Sequence, residues 1–376
     1  MLQMLQKHSA MNWSSRPSRL DRVSPLASRG HVQNTFLFAN LHMGYRPRYF
    51  ISNNLYALCF RTIEGLPFVT TNYMKLLLLG IMARAQRDQK VVLCHFIWMG
   101  NHAHILAIFK DSDQAKNFYA EIEKKITDSL KSLLGLPHLR LWERRPVVAP
   151  VLDLPAAIQQ VAYLYANPSR ADLVDSISEY PGSSSWDVFQ TTTSSAEQNT
   201  LEVSSTVRAV WVPFSKIPPL PAHSLKKHAD LDFAAQLASL GRPHNLEIHP
   251  NIWMECFGIS HPTEIAKINE KILGRIKEME EEHRNKRVAN KRSVLGEKAL
   301  RVQNILRQHI PTGRRMRRRV FVICSDKAQR IAFITKVQEL CCIARNCYHD
   351  ALKGINRLWP PGMFRPPLRA LASALK

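Results

Sequence analysis

With 376 residues, 45% of them apolar, the chain can fill two ordinary domains, or one with a large extension, and is not globally disordered. Lysine and arginine outnumber aspartate and glutamate by 52 to 30, a formal net charge of +22. That excess argues against a cationic partner and for a polyanion, nucleic acid first, although ribosomal, membrane-surface and heparin-like partners share the same electrostatics. None of the seven cysteines forms a CxxC pair, so reduced thiols in a reducing compartment are expected rather than a zinc site or a disulfide framework. No apolar run reaches the length of a membrane span, and residues 1–7 contain no long apolar segment of the signal-peptide kind. A soluble intracellular protein without a membrane partner is the expectation.

In chain order, residues 1–45 are polar and Ser/Arg-rich without a sustained period and read as a flexible basic leader. A strand is predicted over 48–62 and a buried helix over 72–87. A strand over 90–98, the corner Met99-Gly100-Asn101 and a strand over 103–109 make a hairpin-like pair. Asp111-Ser112-Asp113 supplies N-cap chemistry for a helix over 114–134, and 139–151 is extended and basic. Asp153 caps a further helix with Pro155 in its first turn; Asn167-Pro168 should end it near residue 166. Residues 191–224, rich in Ser, Thr and Pro, read as a linker. Residues 225–376 read as a mainly helical, basic accessory region containing the dense run Arg314, Arg315, Met316, Arg317, Arg318, Arg319. Irregular alternation around an adjacent strand pair favours an α+β sheet flanked by helices over a doubly wound parallel sheet.

Two constellations can carry chemistry. His102 and His104 stand two apart in an apolar stretch; in a strand both imidazoles project from one face, where two neutral nitrogens can share a divalent metal. Taken alone, the pair fits two ordinary satisfied imidazoles as well. Tyr163 and Asn167, at i and i+4, share one helix face. A phenol is a weak nucleophile at neutral pH, but a metal-polarised phosphate is open to it. Without context Tyr163 reads equally as a packing aromatic.

Context comes from resemblance. Met99-Gly100-Asn101-His102-Ala103-His104-Ile105-Leu106 resembles the M-P-N-H-hydrophobic-H-hydrophobic-L signature of the IS200-like (Y1) transposases. Residues 163–174 are similar to the Y-I-x-x-N-P-V-R-A-G-L-V block of the REP-associated tyrosine transposases, and Tyr180-Pro181-Gly182-Ser183-Ser184 to their Y-P-W-S-S. Three ordered blocks within about residues 45–190 are far more specific than any one of them. Gly100, Ser169, Asp172 and Gly182 stand where the motifs have proline, valine, glycine and tryptophan. If the motif glycine at 172 serves a positive φ, Asp172 alters the turn after the helix.

The resemblance implies an HUH endonuclease on a ferredoxin-like antiparallel sheet over 46–190. His102, His104 and, as a third polar ligand, Asn167 would hold Mg²⁺ or Mn²⁺. Tyr163 would attack single-stranded DNA, leaving a 5′-phosphotyrosine link and a free 3′-OH. Arg144, Arg145 and Arg170, with Arg314, Arg315, Arg317, Arg318 and Arg319, are candidates for DNA phosphates. The DNA partner would be a hairpin or palindromic repeat, and the setting a prokaryotic cytoplasm and nucleoid. A homodimer in which Tyr163 serves its own or a partner subunit stays open. So do two other classes: an inactive or domesticated hairpin-binding protein that does not cut, and a basic RNA-associated protein.

Overall fold

Alternation of side chains along three strands sorts the core into two layers, and that sorting places the histidines. In the computed structural model, which describes residues 49–143, 146–194, 199–220, 227–305 and 320–364, β1 (Asn54–Arg61), α1 (Asn72–Gln89), β2 (Val92–Met99), β3 (His102–Phe109), α2 (Ser112–Leu134) and β4 (Val147–Pro150) follow one another as βαββαβ. The strands form one sheet in the order β2-β3-β1-β4, antiparallel at every pairing. The predicted α+β class therefore holds. The predicted 48–62 strand shortens to eight residues, and only four of the extended 139–151 stretch join the sheet. The predicted leader, 1–45, lies outside the described residues.

One sheet face carries Tyr56, Leu58 and Phe60 of β1 with Ala103, Ile105, Ala107 and Phe109 of β3; α1 and α2 cover it with Leu77, Leu78, Ile81, Phe118, Ile122 and Ile126. Asp111 caps α2 by accepting from Gln114 N at 2.8 Å. The intervening residues, Leu55 and Ala57 of β1 and Leu106 of β3, face the opposite way, against α3 (Leu154–Arg170). His102 and His104 share the parity of Leu106 and so belong to the α3 side. A register shift at Leu93/His95 in β2 turns His95 to that side as well.

One expectation needs correction beyond this sheet. The predicted linker contains β5 (Ser205–Trp211), which pairs antiparallel with β6 (Arg242–Ile248), a strand within the region read as mainly helical. Composition misled here: Ser, Thr and Pro dominate the segment, but 205–211 alternates, and Ala209 and Val212 enter the first core layer. Strand β5 lies directly on α1 at Gly80, where a Cβ would sit 2.0 Å from the Val210 carbonyl oxygen, so only glycine admits the approach. Before β5 comes α4 (Trp186–Thr193), whose Trp186 and Phe189 join the layer of α3, and between β5 and β6 comes α5 (Lys227–Leu240). Next, α6 (Pro262–Ala289) lays Ile265, Ile268, Ile272, Ile276 and Met279 along α3 at helical spacing, within the same core layer as Val161 and Leu164. Finally, α7 (Glu297–Arg301) and α8 (Lys327–Leu352) lead to a small cluster of Phe333, Val337, Cys341, Ala344 and Met363. No helix among the described residues is long and apolar enough to cross a membrane.

Candidate active site

The site forms where the start of β3 meets the second half of α3. The Gly100-Asn101 corner brings the chain into β3 with His102 as its first residue; the His102 and His104 rings lie 5.0 Å apart, nearly perpendicular. Asn101 Oδ1 sits 2.7 Å from His102 Nδ1. A carbonyl oxygen can only accept, so Nδ1 is the donor in this pairing. His104 Nε2 is buried without a hydrogen-bond partner among the described residues. Burial, then the positive charges of Arg61 and Arg170, push the His104 pKa down to about 4. Its imidazole is neutral at physiological pH, the form that binds metals.

From the other side α3 delivers Tyr163. Asp153 caps this helix, accepting from Ala156 N at 2.7 Å, and also accepts from Ser325 N and Oγ, each at 2.6 Å. The Tyr163 ring meets the His104 ring edge-on at 5.6 Å. Arg170 Nη1 donates to the Tyr163 hydroxyl at 2.8 Å, and its guanidinium carbon lies 5.2 Å from the ring centre. One turn from Tyr163, Asn167 is 5% exposed and its Nδ2 is buried and unpartnered among the described residues; a half-turn of the amide would present its oxygen instead. Among the described residues no group of three or more His, Cys, Asp or Glu side chains is placed to hold a metal ion. The donors available here are two imidazoles and one amide.

Tyr165, two residues on, points the other way into the core. Its hydroxyl is 2.9 Å from both His95 Nδ1 and Ser185 Oγ, and burial pushes its phenol far above the ordinary value. The two tyrosines of this helix thus face opposite ways, Tyr163 toward His104 and Tyr165 into the core.

Two further outcomes concern α3. The helix does not stop at Asn167-Pro168 but continues to Arg170, with Pro168 inside it. After it, Asp172 adopts φ 54°, the left-handed conformation that a glycine at this position would take freely. Of the basic residues singled out, Arg170 lies in the site, although its partner is Tyr163. Arg144, Arg145, Arg314, Arg315, Arg317, Arg318 and Arg319 lie outside the described residues. Sequence reasoning missed Asn101, which orients His102 and whose signal was its place immediately before the pair. It also missed Arg61, paired with His102 across the β1–β3 ladder, for which no local signal exists.

No protein-family model matches the chain, and no curated protein matches it. Among solved structures, the chain is similar to a REP-associated tyrosine transposase bound to a REP hairpin, at 19% identity and a TM-score of 0.34, over 39% of this chain and 84% of that one.

Proposed function

We propose that this chain is a tyrosine HUH transposase, of the IS200-like and REP-associated kind, that cuts and rejoins single-stranded DNA next to a hairpin. The observation that carries the reading is the meeting of Tyr163 with His104 at 5.6 Å, and of His104 with His102 at 5.0 Å, between one helix and one sheet face. The βαββαβ order and the strand order β2-β3-β1-β4 fit the ferredoxin-like sheet expected of that class.

The residues present fit a divalent cation. His104 offers a buried, neutral, unpartnered nitrogen, His102 is oriented through Nδ1, and the unpartnered Asn167 Nδ2 leaves that amide able to turn its oxygen inward. His102, His104 and Asn167 would hold Mg²⁺ or Mn²⁺, which when bound polarises the scissile phosphate and offsets its charge. Tyr163 attacks phosphorus through its hydroxyl oxygen. The new P–O(Tyr163) bond replaces the P–O3′ bond, the phenol proton passes to solvent, and the departing oxygen takes up a proton as a free 3′-OH. Because one phosphoester replaces another, a 3′-OH can reverse the step and rejoin strands without an external energy source. Arg170 holds the Tyr163 oxygen at 2.8 Å, leaves it a lone pair for attack, and sets a positive charge where phosphate oxygens approach. The net charge of +22 suits a polyanionic substrate.

The test uses 3′-labelled single-stranded hairpin oligonucleotides, taken from palindromic repeats flanking the gene, with Mn²⁺ and a denaturing gel. A covalent protein–DNA band is expected that chelation removes and that Tyr163→Phe lowers by at least about 10³-fold. A band that persists in Tyr163→Phe refutes the nucleophile. Hairpin binding by the unaltered chain with no covalent band identifies a binding protein instead.

A further inference from the structure

Two motif departures that look unrelated in the sequence, Ser169 and Asp172, meet at one side chain. Arg287 on α6 is 2% exposed. Its Nη1 donates to the Ser169 carbonyl at 2.6 Å, reaches Ser169 Oγ at 3.4 Å, and lies 3.5 Å from the Asp172 carboxylate. Its Nη2 pairs with Asp175. Arg292 adds a 2.8 Å contact to Asp172, and the backbone N–H groups of Leu295 and Gly296 donate to the carbonyls of Asp172 and Leu173 at 2.9 and 2.8 Å.

These contacts surround the weakest turn of α3. Pro168 has no N–H to give to Leu164, and a residue before proline is pushed away from helical geometry. A turn so weakened ends a helix unless something outside it holds the backbone. Here the helix goes on to Arg170, whose guanidinium holds the Tyr163 hydroxyl. Ser169, the residue that Arg287 grips, directly precedes Arg170.

We infer that Arg287 is a positioning residue for Tyr163: from the C-terminal region it holds the post-proline turn of α3 and thereby keeps Arg170 on the tyrosine oxygen. The inference rests on the reading of Tyr163 as the nucleophile, but its structural half does not need that reading. It also gives the C-terminal region a role in the chemistry rather than in DNA contact alone. Arg287 never touches the reacting atoms; it acts through Ser169 and Arg170.

The full chain with 3-fluorotyrosine at position 163 separates the two halves. In the absence of DNA, Arg287→Met should move the ¹⁹F resonance in the same direction as Arg170→Met, with Arg287→Lys falling between Arg287→Met and the unaltered chain. On the hairpin oligonucleotide with Mn²⁺, Arg287→Met should slow single-turnover adduct formation by about tenfold or more while hairpin affinity stays within about twofold. An unmoved ¹⁹F resonance in Arg287→Met overturns the inference, as does a moved resonance with an unchanged adduct rate. If Arg287→Met fails to fold, Arg287→Lys carries the comparison: an unmoved resonance and an unchanged rate again overturn it. If the unaltered chain forms no adduct, the proposed function fails, and the ¹⁹F comparison still decides whether Arg287 sets the environment of Tyr163.

Discussion

The two faces of the four-stranded sheet are built for different ends. The face under α1 and α2 is filled by large apolar side chains, among them Phe60, Phe96, Trp98, Phe109 and Phe118, each 0–1% exposed. The face under α3 mixes small residues, Ala57, Ala157 and Ala162, with imidazoles, phenols and an unsatisfied amide. Burial on the first face contributes stability. On the second, part of that contribution is given up: His104 Nε2 and Asn167 Nδ2 are buried without partners, which is costly unless something else occupies the site. The His104 ring meets the Tyr163 ring, and Asn167 lies one helical turn from Tyr163, so both groups sit beside the same phenol.

The sharpest way to break this comparison is a matched pair of substitutions. Phe118→Ala removes a fully buried ring from the α2 side and should cost about 3–5 kcal/mol of stability in urea unfolding. At a temperature where it remains folded, its adduct formation should be close to normal. His104→Leu should do the reverse. It replaces an imidazole bearing an unpartnered buried nitrogen with an apolar side chain, so the unfolding midpoint should hold or rise. Adduct formation should fall by more than about 10²-fold. If His104→Leu destabilises as Phe118→Ala does, His104 is a structural residue and the division between the faces is wrong.

A smaller effect tests the α3 face through pH. Burial pushes the His95 pKa down to about 3, with the Pro250 carbonyl working weakly against it. Above the unfolded value of 6.5, both folded and unfolded forms carry a neutral imidazole and pH has no effect through His95. As the pH falls below 6.5, the unfolded chain takes up a proton that the folded chain refuses, so stability declines until the folded value near 3 is reached. The slope from this residue is about 1.4 kcal/mol per pH unit. Calorimetry between pH 7 and 4.5 should show the unaltered chain losing stability more steeply than His95→Leu. Equal slopes would mean that His95 titrates freely.

How much of this was legible depended on how local the cause is. Strands β1, β2 and β3 and helix α2 announce themselves through alternation, helical spacing and the Asp111 cap, so the sheet could be anticipated. The two imidazoles on one face followed from spacing alone, and Tyr163 with Asn167 from one helical turn. What failed was non-local. Pro168 is a sound stop signal by its own chemistry, and the helix passes through it where Arg287, 118 residues away, grips Ser169. In the sequence Arg287 is one charge in a highly charged helix; only packing reveals that it is buried. Strand β5 was hidden because prolines and Ser/Thr composition outweighed a seven-residue alternation. His95, a lone histidine in an apolar strand, gave no sign that a register shift would turn it toward Tyr165.

The smallest expected effect concerns the turn that closes the α3 face. Asp172→Gly restores the motif residue at φ 54°, where a side chain other than glycine is strained by about 1 kcal/mol. Against that gain, glycine loses more backbone freedom on folding, and the carboxylate contacts to Arg287 and Arg292 disappear. The Arg292 pair is largely exposed and contributes little, whereas Arg287 is buried and keeps Asp175 and the Ser169 carbonyl. The opposing terms are of similar size, so urea unfolding should place Asp172→Gly within about 1 kcal/mol of the unaltered chain. A loss of several kcal/mol would show that Arg287 depends on Asp172 rather than on Asp175, and would move the anchor of the tyrosine helix from Ser169 to the turn that follows it.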